Sequence, residues 1–275
     1  MDKVIVSDSC ICRNEEFDKY VDQKIVAFSL EIDGKEYIDD DNMDVKGFLR
    51  DMKNSQNVPK SAAPSPKAFM DAVGEASEAF IVTITGKLSG TYQNAMLAKE
   101  MLAEENKKVH VVDSMSAMSG ESLIAYKLRQ WINENLKFDD IVRKIEEFRD
   151  KMSTYIVLED LDNLVKNGRM SKLVGRIAKA LRISPVLKAE DGIIEIYKKT
   201  RGIRKSLNQI VDTTKEMANY AFSDICMVAH VNDEERAREV SDMIKERCQF
   251  KEVIILESHG LGSLYGNQGG IVISF

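Results

Sequence analysis

The chain has 275 residues, 44% of them hydrophobic and 31% charged, which is ordinary for a globular protein and enough for one large or two modest domains. Its formal net charge of −6 argues against nucleic acid as the main partner, because phosphate binding requires a basic face. The apolar runs are far shorter than the ~20 residues that span a bilayer, and the first residues lack the apolar stretch of a signal peptide. We therefore expect a cytoplasmic protein without stable membrane insertion. We also expect it to be a monomer.

Short strand-like runs alternate with amphipathic helical patterns along the chain. The predicted strands are Val4–Val6, Ile25–Ile32, Phe80–Thr85, Val109–Val112, Ile156–Leu158, Ile193–Tyr197, Cys226–His230, Val253–Leu256 and Gly270–Phe275. Helical spacing is found around Tyr92–Leu102, Leu123–Trp131, Ile141–Phe148 and Ala237–Cys248. This alternation predicts two α/β domains, residues 1–155 with a Rossmann-like parallel sheet and residues 156–275.

Two polar features follow the early strands. Asp8-Ser9 comes directly after the first strand, where an acid–hydroxyl pair suits the N-cap of a helix. Residues 53–67 contain three of the four prolines and predict an ordered loop without strand or helix. Ser61 lies in this loop, where proline stiffness can hold its hydroxyl toward a site, although exposed loop serines are more often structurally neutral.

Ser89 stands in the segment TGKLSGTYQNA, which follows a strand and opens a helix. A hydroxyl beside the first amides of a helix can stabilise a carboxylate or phosphate, or it can simply cap the helix. The spacing Gly86-Lys87-Leu88-Ser89-Gly90 is one residue too long for the GxSxG elbow of serine hydrolases.

His259 opens the tail HGLGSLYGNQGG, which holds five glycines. A histidine at a strand end before glycines can donate to an anion that approaches the backbone closely. The GxGxxxG spacing is one residue longer than the dinucleotide fingerprint, no helix is predicted after it, and no Walker loop occurs, so nucleotide binding is disfavoured.

Two basic clusters interrupt this acidic chain. Arg169, Lys172, Arg176, Lys179 and Arg182 recur at helical spacing, and Lys198, Lys199, Arg201, Arg204 and Lys205 form a second group. Each is either a solvated face or a surface for an acidic ligand or partner. The three histidines and four cysteines show no metal-ligand spacing, so no metal is expected, and the cysteines are expected to be reduced.

Six segments, in order, resemble the DegV family of bacterial fatty-acid-binding proteins. They are Asp8-Ser9, VPKSAAPSP, SGTYQNA, LEDLDNLVKNGRMSK, ISPVLKAEDGIIEI and the HGLGSLYG tail. The resemblance covers nearly the whole chain and implies two α/β domains with a fatty acid between them. It also implies an apolar tunnel with the carboxylate at its mouth, and no cofactor other than this ligand.

The resemblance further implies roles for individual residues. Ser89, Ser61 and His259 stand at the family's carboxylate-binding positions, and Arg169 at a position close to the head group. Some members of the family present the carboxylate to a separate ATP-dependent fatty acid kinase, and Arg201 lies in a segment similar to the one that engages it. Ala62 and Ala63 replace a serine and a glutamine of the family pattern, and Leu261 replaces a proline, which predicts a looser turn.

Two other functions stay open at the level of sequence. One is a stand-alone acyl- or phosphoryl-transfer enzyme that uses Ser89 and His259. The other is a DNA-binding regulator that uses the basic stripe, which the charge balance does not favour.

Overall fold

The structure of the protein is a computed structural model that describes residues 3–171, 184–218 and 223–275. The strands in these ranges are β1 Lys3–Asp8, β2 Lys24–Val26, β3 Ser29–Ile32, β4 Lys35–Ile38, β5 Lys60–Ala62, β6 Glu78–Thr83, β7 Lys108–Asp113, β8 Thr154–Val157, β9 Val186–Glu190, β10 Ile193–Lys198, β11 Ile225–His230, β12 Glu252–Glu257 and β13 Ile271–Ser274. The helices are α1 Glu15–Val21, α2 Val45–Asn54, α3 Pro66–Val73, α4 Thr91–Glu104, α5 Ser119–Asn133, α6 Phe138–Lys151, α7 Asp162–Lys166, α8 Ile203–Ala218, α9 Glu234–Arg247 and α10 Gly260–Gly266.

The first sheet is parallel throughout and has the strand order β2-β1-β6-β7. Every residue of β6 is buried, as expected for a parallel strand that is covered on both faces. Because side chains alternate across a strand, Phe80 and Val82 enter one core cluster while Ala79 and Ile81 enter another.

The second sheet is mixed and has the order β10-β9-β8-β13-β11-β12, in which only β11 and β12 run parallel. The α/β class with a parallel N-terminal sheet and a C-terminal α/β half is therefore confirmed. The predicted domain boundary at residue 155 falls inside β8, the first strand of this sheet in chain order.

One core cluster lies between the two sheets. It contains Phe80 of the first sheet together with Ile156, Met227 and Val272 of the second. Helix α5 packs against both sheets, and most of its side chains are buried, which its weakly amphipathic sequence allows.

Four sequence predictions for local structure are wrong. The predicted strand Ile25–Ile32 is interrupted, and its two parts belong to β2 and β3, which lie in different sheets. Residues 53–67 are not a loop, because they include the end of α2, the strand β5 and the start of α3. Ser65 caps α3 by accepting from the amide of Ala68, and Pro66 at the first helical position has its backbone preset for a helix. Ser61 therefore lies in a strand that pairs with Leu30 of β3.

Asp8-Ser9 is not a helix cap either. Helix α1 begins seven residues after Asp8 and is capped by Asn14, whose side chain accepts from the amide of Phe17. The carboxylate of Asp8 instead accepts from the amides of Cys10 and Ile84, both at 2.9 Å. These bonds tie the ends of two neighbouring parallel strands together.

The glycine-rich tail forms helix α10 directly after His259, where no helix was predicted. The helix forms because the carboxylate of Asp39 accepts from the first amides of the turn, at Gly260 and Leu261. None of the helices in the described ranges has the length and apolar character that a bilayer crossing requires.

Candidate functional site

A cavity lies between the two sheets and is bordered by elements from both halves of the chain. Apolar side chains form most of its wall: Phe28, Ile84, Leu88, Met118, Ile156, Leu158, Leu164, Ile194, Leu261 and Val272. The space between its lining atoms is about 630 Å³, open end included, and about 60 Å³ of it can hold the centre of a water molecule. The cavity is therefore a narrow, apolar channel.

Polar groups on the wall come from Ser61, Ser89, Arg169 and Tyr265. The hydroxyl oxygens of Ser61 and Tyr265 lie 3.1 Å apart, and the guanidinium carbon of Arg169 lies 5.9 Å from the centre of the Tyr265 ring. Nε of Arg169 donates to the carbonyl of Leu88 at 3.2 Å, which places the guanidinium beside the loop that carries Ser89. One cation and three hydroxyls thus border a channel that is otherwise apolar.

Ser89 lies in the short loop between β6 and α4 and is half-buried. Its hydroxyl oxygen lies 2.7 Å from that of Thr91 and accepts from the amide of Thr91 at 3.3 Å. The first turn of α4 adds the partial positive charge of its amides next to this hydroxyl, because Gly90 at the N-cap has no side chain to satisfy them. An anion at Ser89 is favoured by this arrangement.

His259 does not line the channel. Its Nδ1 atom lies 2.5 Å from a carboxylate oxygen of Asp39, and Asp39 is fully buried. The same carboxylate accepts from the amides of Gly260 and Leu261 and from the hydroxyl of Ser9. His259 borders a separate surface depression next to the channel, so the structure brings together three of the four predicted carboxylate ligands.

Leu261 links this network to the channel. Its side chain lines the channel, while its backbone N–H donates to Asp39 at 2.8 Å. The sequence predicted a looser turn where leucine replaces proline. The leucine instead provides a hydrogen bond that a proline, lacking an N–H, cannot make.

Tyr265 and Asp39 are functional candidates that sequence reasoning missed. Tyr265 stands six residues after His259 in the tail, and that spacing is a signal only once the tail is known to be a helix. Asp39 belongs to the acidic run Asp39-Asp40-Asp41, which in sequence is indistinguishable from a solvated loop.

A group of buried acids lies behind the channel wall at Cys10. Oxygen atoms of Asp8 and Glu121 and the sulfur of Cys10 lie within 4.8 Å of one another, and all three residues are buried. Burial raises the pKa of Asp8 to about 6, and burial together with the charge of Asp8 raises the pKa of Glu121 well above its usual range. A proton on one of the two carboxyl groups removes the repulsion between them. These atoms are also the group among the described residues that could hold a metal ion.

Arg201 lies on the surface, in the turn after β10. The other end of β10 begins at the Asp191-Gly192 turn, where Gly192 packs against the side chain of Thr85, close to the Ser89 loop. The six residues of β10 separate the two ends by roughly 20 Å. Lys172, Arg176, Lys179 and Arg182 of the predicted basic stripe lie outside the described residues.

Comparison with known proteins identifies close relatives of the whole chain. A family model described as "Uncharacterised protein, DegV family" matches residues 3–273. A DegV domain-containing protein of Streptococcus pneumoniae serotype 4 is 36% identical over 253 residues, which cover 91% of this chain and 89% of that protein. The family predicted from the motifs is confirmed.

Solved structures agree with the sequence match. A DegV family protein from Ruminococcus gnavus, refined with vaccenic acid, has a TM-score of 0.92 and 33% identity and covers 100% of this chain and 99% of that chain. The Streptococcus pneumoniae Fatty Acid Kinase (Fak) B3 protein, loaded with linoleic acid, has a TM-score of 0.90 and 32% identity, with coverage of 100% and 99%.

Proposed function

The chain belongs to the DegV family, and from this membership and the geometry of its channel we propose that it binds one long-chain fatty acid between its two sheets. The observation that carries the proposal is the narrow apolar channel with hydroxyls and one guanidinium on its wall. Proteins of similar sequence and near-identical fold hold vaccenic and linoleic acid.

In this proposal the apolar wall of the channel buries the acyl chain. Burying a C16–C18 chain removes ~15 methylenes from water at about 0.8 kcal/mol each, a gross gain of roughly 12 kcal/mol before ordering costs.

The polar groups on the channel wall bind the carboxylate of the fatty acid. A carboxylate is costly to bury without donors, so the head group belongs where donors meet the channel. Ser89 and Ser61 supply hydroxyls, Arg169 supplies the opposite charge, and Tyr265 orients Ser61. His259 acts indirectly, because its bond to Asp39 helps to hold the helix that carries Tyr265.

The finer proposal is that the bound carboxylate is presented to a separate ATP-dependent kinase, which forms the acyl-phosphate. The sequence holds no Walker loop to cradle the phosphates of a nucleotide. The kinase must therefore carry the ATP and dock on this protein. Arg201 is exposed and suits a bidentate contact to an acidic surface, so it is our candidate docking residue.

A stand-alone transferase fits the geometry less well. A nucleophilic serine needs a base within about 2.6–3.2 Å of its hydroxyl. The hydroxyl of Ser89 lies against Thr91, and the ring of His259 is held by Asp39 outside the channel. Binding without chemistry is the function that this arrangement supports.

The proposal is tested by mass spectrometry of lipid extracted from protein purified under native conditions. We expect about one fatty acid per chain, and uptake of palmitate or oleate by protein that has been stripped of lipid. Protein that carries no lipid and takes up neither acid would contradict the proposal. Addition of ATP alone should yield no acyl-phosphate, whereas a stand-alone enzyme would form it.

A further inference from the structure

A surface groove runs along the edge strand β12, on the side of the second sheet opposite to β10. Helix α1 and the side chain of Tyr126 form its other wall. The groove is separate from the fatty-acid channel, because the two have no lining residue in common.

The backbone of β12 is open toward this groove. Arg13 and Glu257 exchange both of their backbone hydrogen bonds, and the side chain of Asn14 donates to the carbonyl of Ile255. Residues two positions apart along a strand direct their backbone groups to the same side. The amides of Val253 and Ile255 therefore point to the same side of β12 as the amide of Glu257. Within the described residues, β12 pairs along its length only with β11. The edge of β12 is therefore partly covered at its Glu257 end and free at its Val253 end.

The groove is strongly acidic. Five glutamates border it against one lysine and one arginine among the described residues. Glu15 and Glu234 have partners in Lys19 and Arg238. Glu16, Glu252 and Glu257 border the groove and form no ion pair within the described part of the chain.

Two tyrosines add a flat apolar wall beside these charges. The rings of Tyr20 and Tyr126 stack with their centres 4.5 Å apart. Burial and, to a smaller extent, the charge of Glu252 raise the pKa of Tyr126 to about 12. Aromatic faces beside carboxylates suit the stems and heads of lysine and arginine side chains.

We propose that this groove docks a basic, extended segment of a partner protein, which adds to the free edge of β12 while its lysines or arginines meet Glu16, Glu252 and Glu257. Strand addition of this kind takes its affinity from backbone hydrogen bonds and its selectivity from side-chain complementarity. Charge complementarity selects the occupant, because an acidic or neutral segment leaves the three carboxylates unpaired.

This surface is independent of the proposed kinase contact at Arg201. The two lie at opposite edges of a six-stranded sheet, about 24 Å apart at the usual strand spacing. Arg201 suits an acidic partner surface, whereas the groove suits a basic partner segment. A failed lipid-binding or kinase assay therefore leaves the groove proposal unaffected.

The test uses a fluorescein-labelled peptide of eight residues, alternating lysine and valine, and the full-length protein. Binding is measured by fluorescence anisotropy for the wild type and for the triple variant Glu16→Gln, Glu252→Gln, Glu257→Gln. The matched control is the triple variant Glu75→Gln, Glu100→Gln, Glu104→Gln, which removes the same charge from exposed positions elsewhere. Hydrogen exchange at the amides of Val253 and Ile255 reports strand addition.

We expect the groove variant to bind the peptide about tenfold more weakly and the control variant to bind it like the wild type. Peptide binding should slow exchange at Val253 and Ile255, and N-methylation of alternate peptide residues should remove this protection. Equal loss of binding in both triple variants would mean a general charge effect and would overturn the proposal. Binding without protection of the two amides would equally rule out strand addition.

Discussion

His259 and Asp39 are 220 positions apart in the chain, and their side chains lie 2.5 Å apart. The fully buried carboxylate of Asp39 also accepts from two amides of helix α10 and from Ser9. One carboxylate thus joins the end of β4, the loop after β1 and the first turn of α10. Because Leu261 and Tyr265 of this helix line the channel, Asp39 fixes one channel wall.

Asp39→Asn should destabilise the protein and weaken lipid binding. The amide cannot accept from all four donors, and leaving buried donors unpaired costs about 1–3 kcal/mol. Urea unfolding and palmitate titration measure the two effects. Glu36→Gln is the control, since this exposed side chain of β4 has no such role. A variant with wild-type stability and affinity would remove Asp39 from the account of the channel wall.

Ser89→Ala should weaken fatty-acid binding by about 1–3 kcal/mol, the usual cost of leaving a buried charged group short of a partner. The fold should survive, because Ser89 lies in a loop at the end of β6. Isothermal titration with palmitate and a thermal melt distinguish the two effects, with Ser77→Ala as an exposed control. If Ser89→Ala binds lipid like the wild type, the assignment of Ser89 to the head group is wrong.

Arg169→Gln should reduce the preference of the protein for a free fatty acid over its methyl ester. The guanidinium favours a charged head group, whereas an ester offers it only a neutral carbonyl. Competition between palmitate and methyl palmitate gives the preference for each form of the protein. An unchanged preference in the variant would place the head group away from Arg169.

Arg201→Ala should keep lipid binding and reduce acyl-phosphate formation with a fatty acid kinase from the same organism. Arg201 is exposed and roughly 20 Å along β10 from the turn beside the Ser89 loop, so its loss should leave the channel intact. Arg50→Ala, another exposed arginine, serves as the control. Full phosphorylation by Arg201→Ala would remove this residue from the docking surface.

Glu121→Gln should make the unfolding free energy less dependent on pH. Burial raises the pKa of Glu121 well above its usual range and that of Asp8 to about 6. The folded protein therefore holds protons that the unfolded chain releases, and its stability falls as pH rises from about 4 through the folded-state pKa values.

Since glutamine cannot ionise, the variant should match the free energy of unfolding of the wild type near pH 4 and exceed it at pH 8. Urea unfolding across this pH range measures the difference, with exposed Glu100→Gln as the control. The same pH slope in Glu121→Gln and the wild type would show that Glu121 is ionised in the folded protein.

The strands of the two large sheets were largely predictable, because β6 and β11 are apolar runs buried on both faces. The small strand β5 and edge strand β4 were not, since Lys60–Ala62 and Lys35–Ile38 have little apolar pattern and pair only through β3. Their pairing is a tertiary effect that propensity does not encode.

The site residues that lie in a family motif, such as Ser61, Ser89 and Arg169, could be predicted from the sequence. The structure places these residues on one channel, while their contact with a carboxylate stays a prediction. Asp39 and Tyr265 were missed for a physical reason. Their positions depend on a helix whose first amides are satisfied by a side chain more than 200 residues away, and no local pattern reveals such a bond.

Strand β13 lies in the middle of the second sheet, between β8 and β11, although the ribosome makes it after every other described strand of that sheet. Until residues 271–274 are synthesised, β8-β9-β10 and β11-β12 have no strand to join them, and the channel lacks Val272. Pairing across such sequence distances is slow and leaves strand edges exposed in the meantime. The channel wall is therefore complete only after this strand has been synthesised and has paired with both of its neighbours.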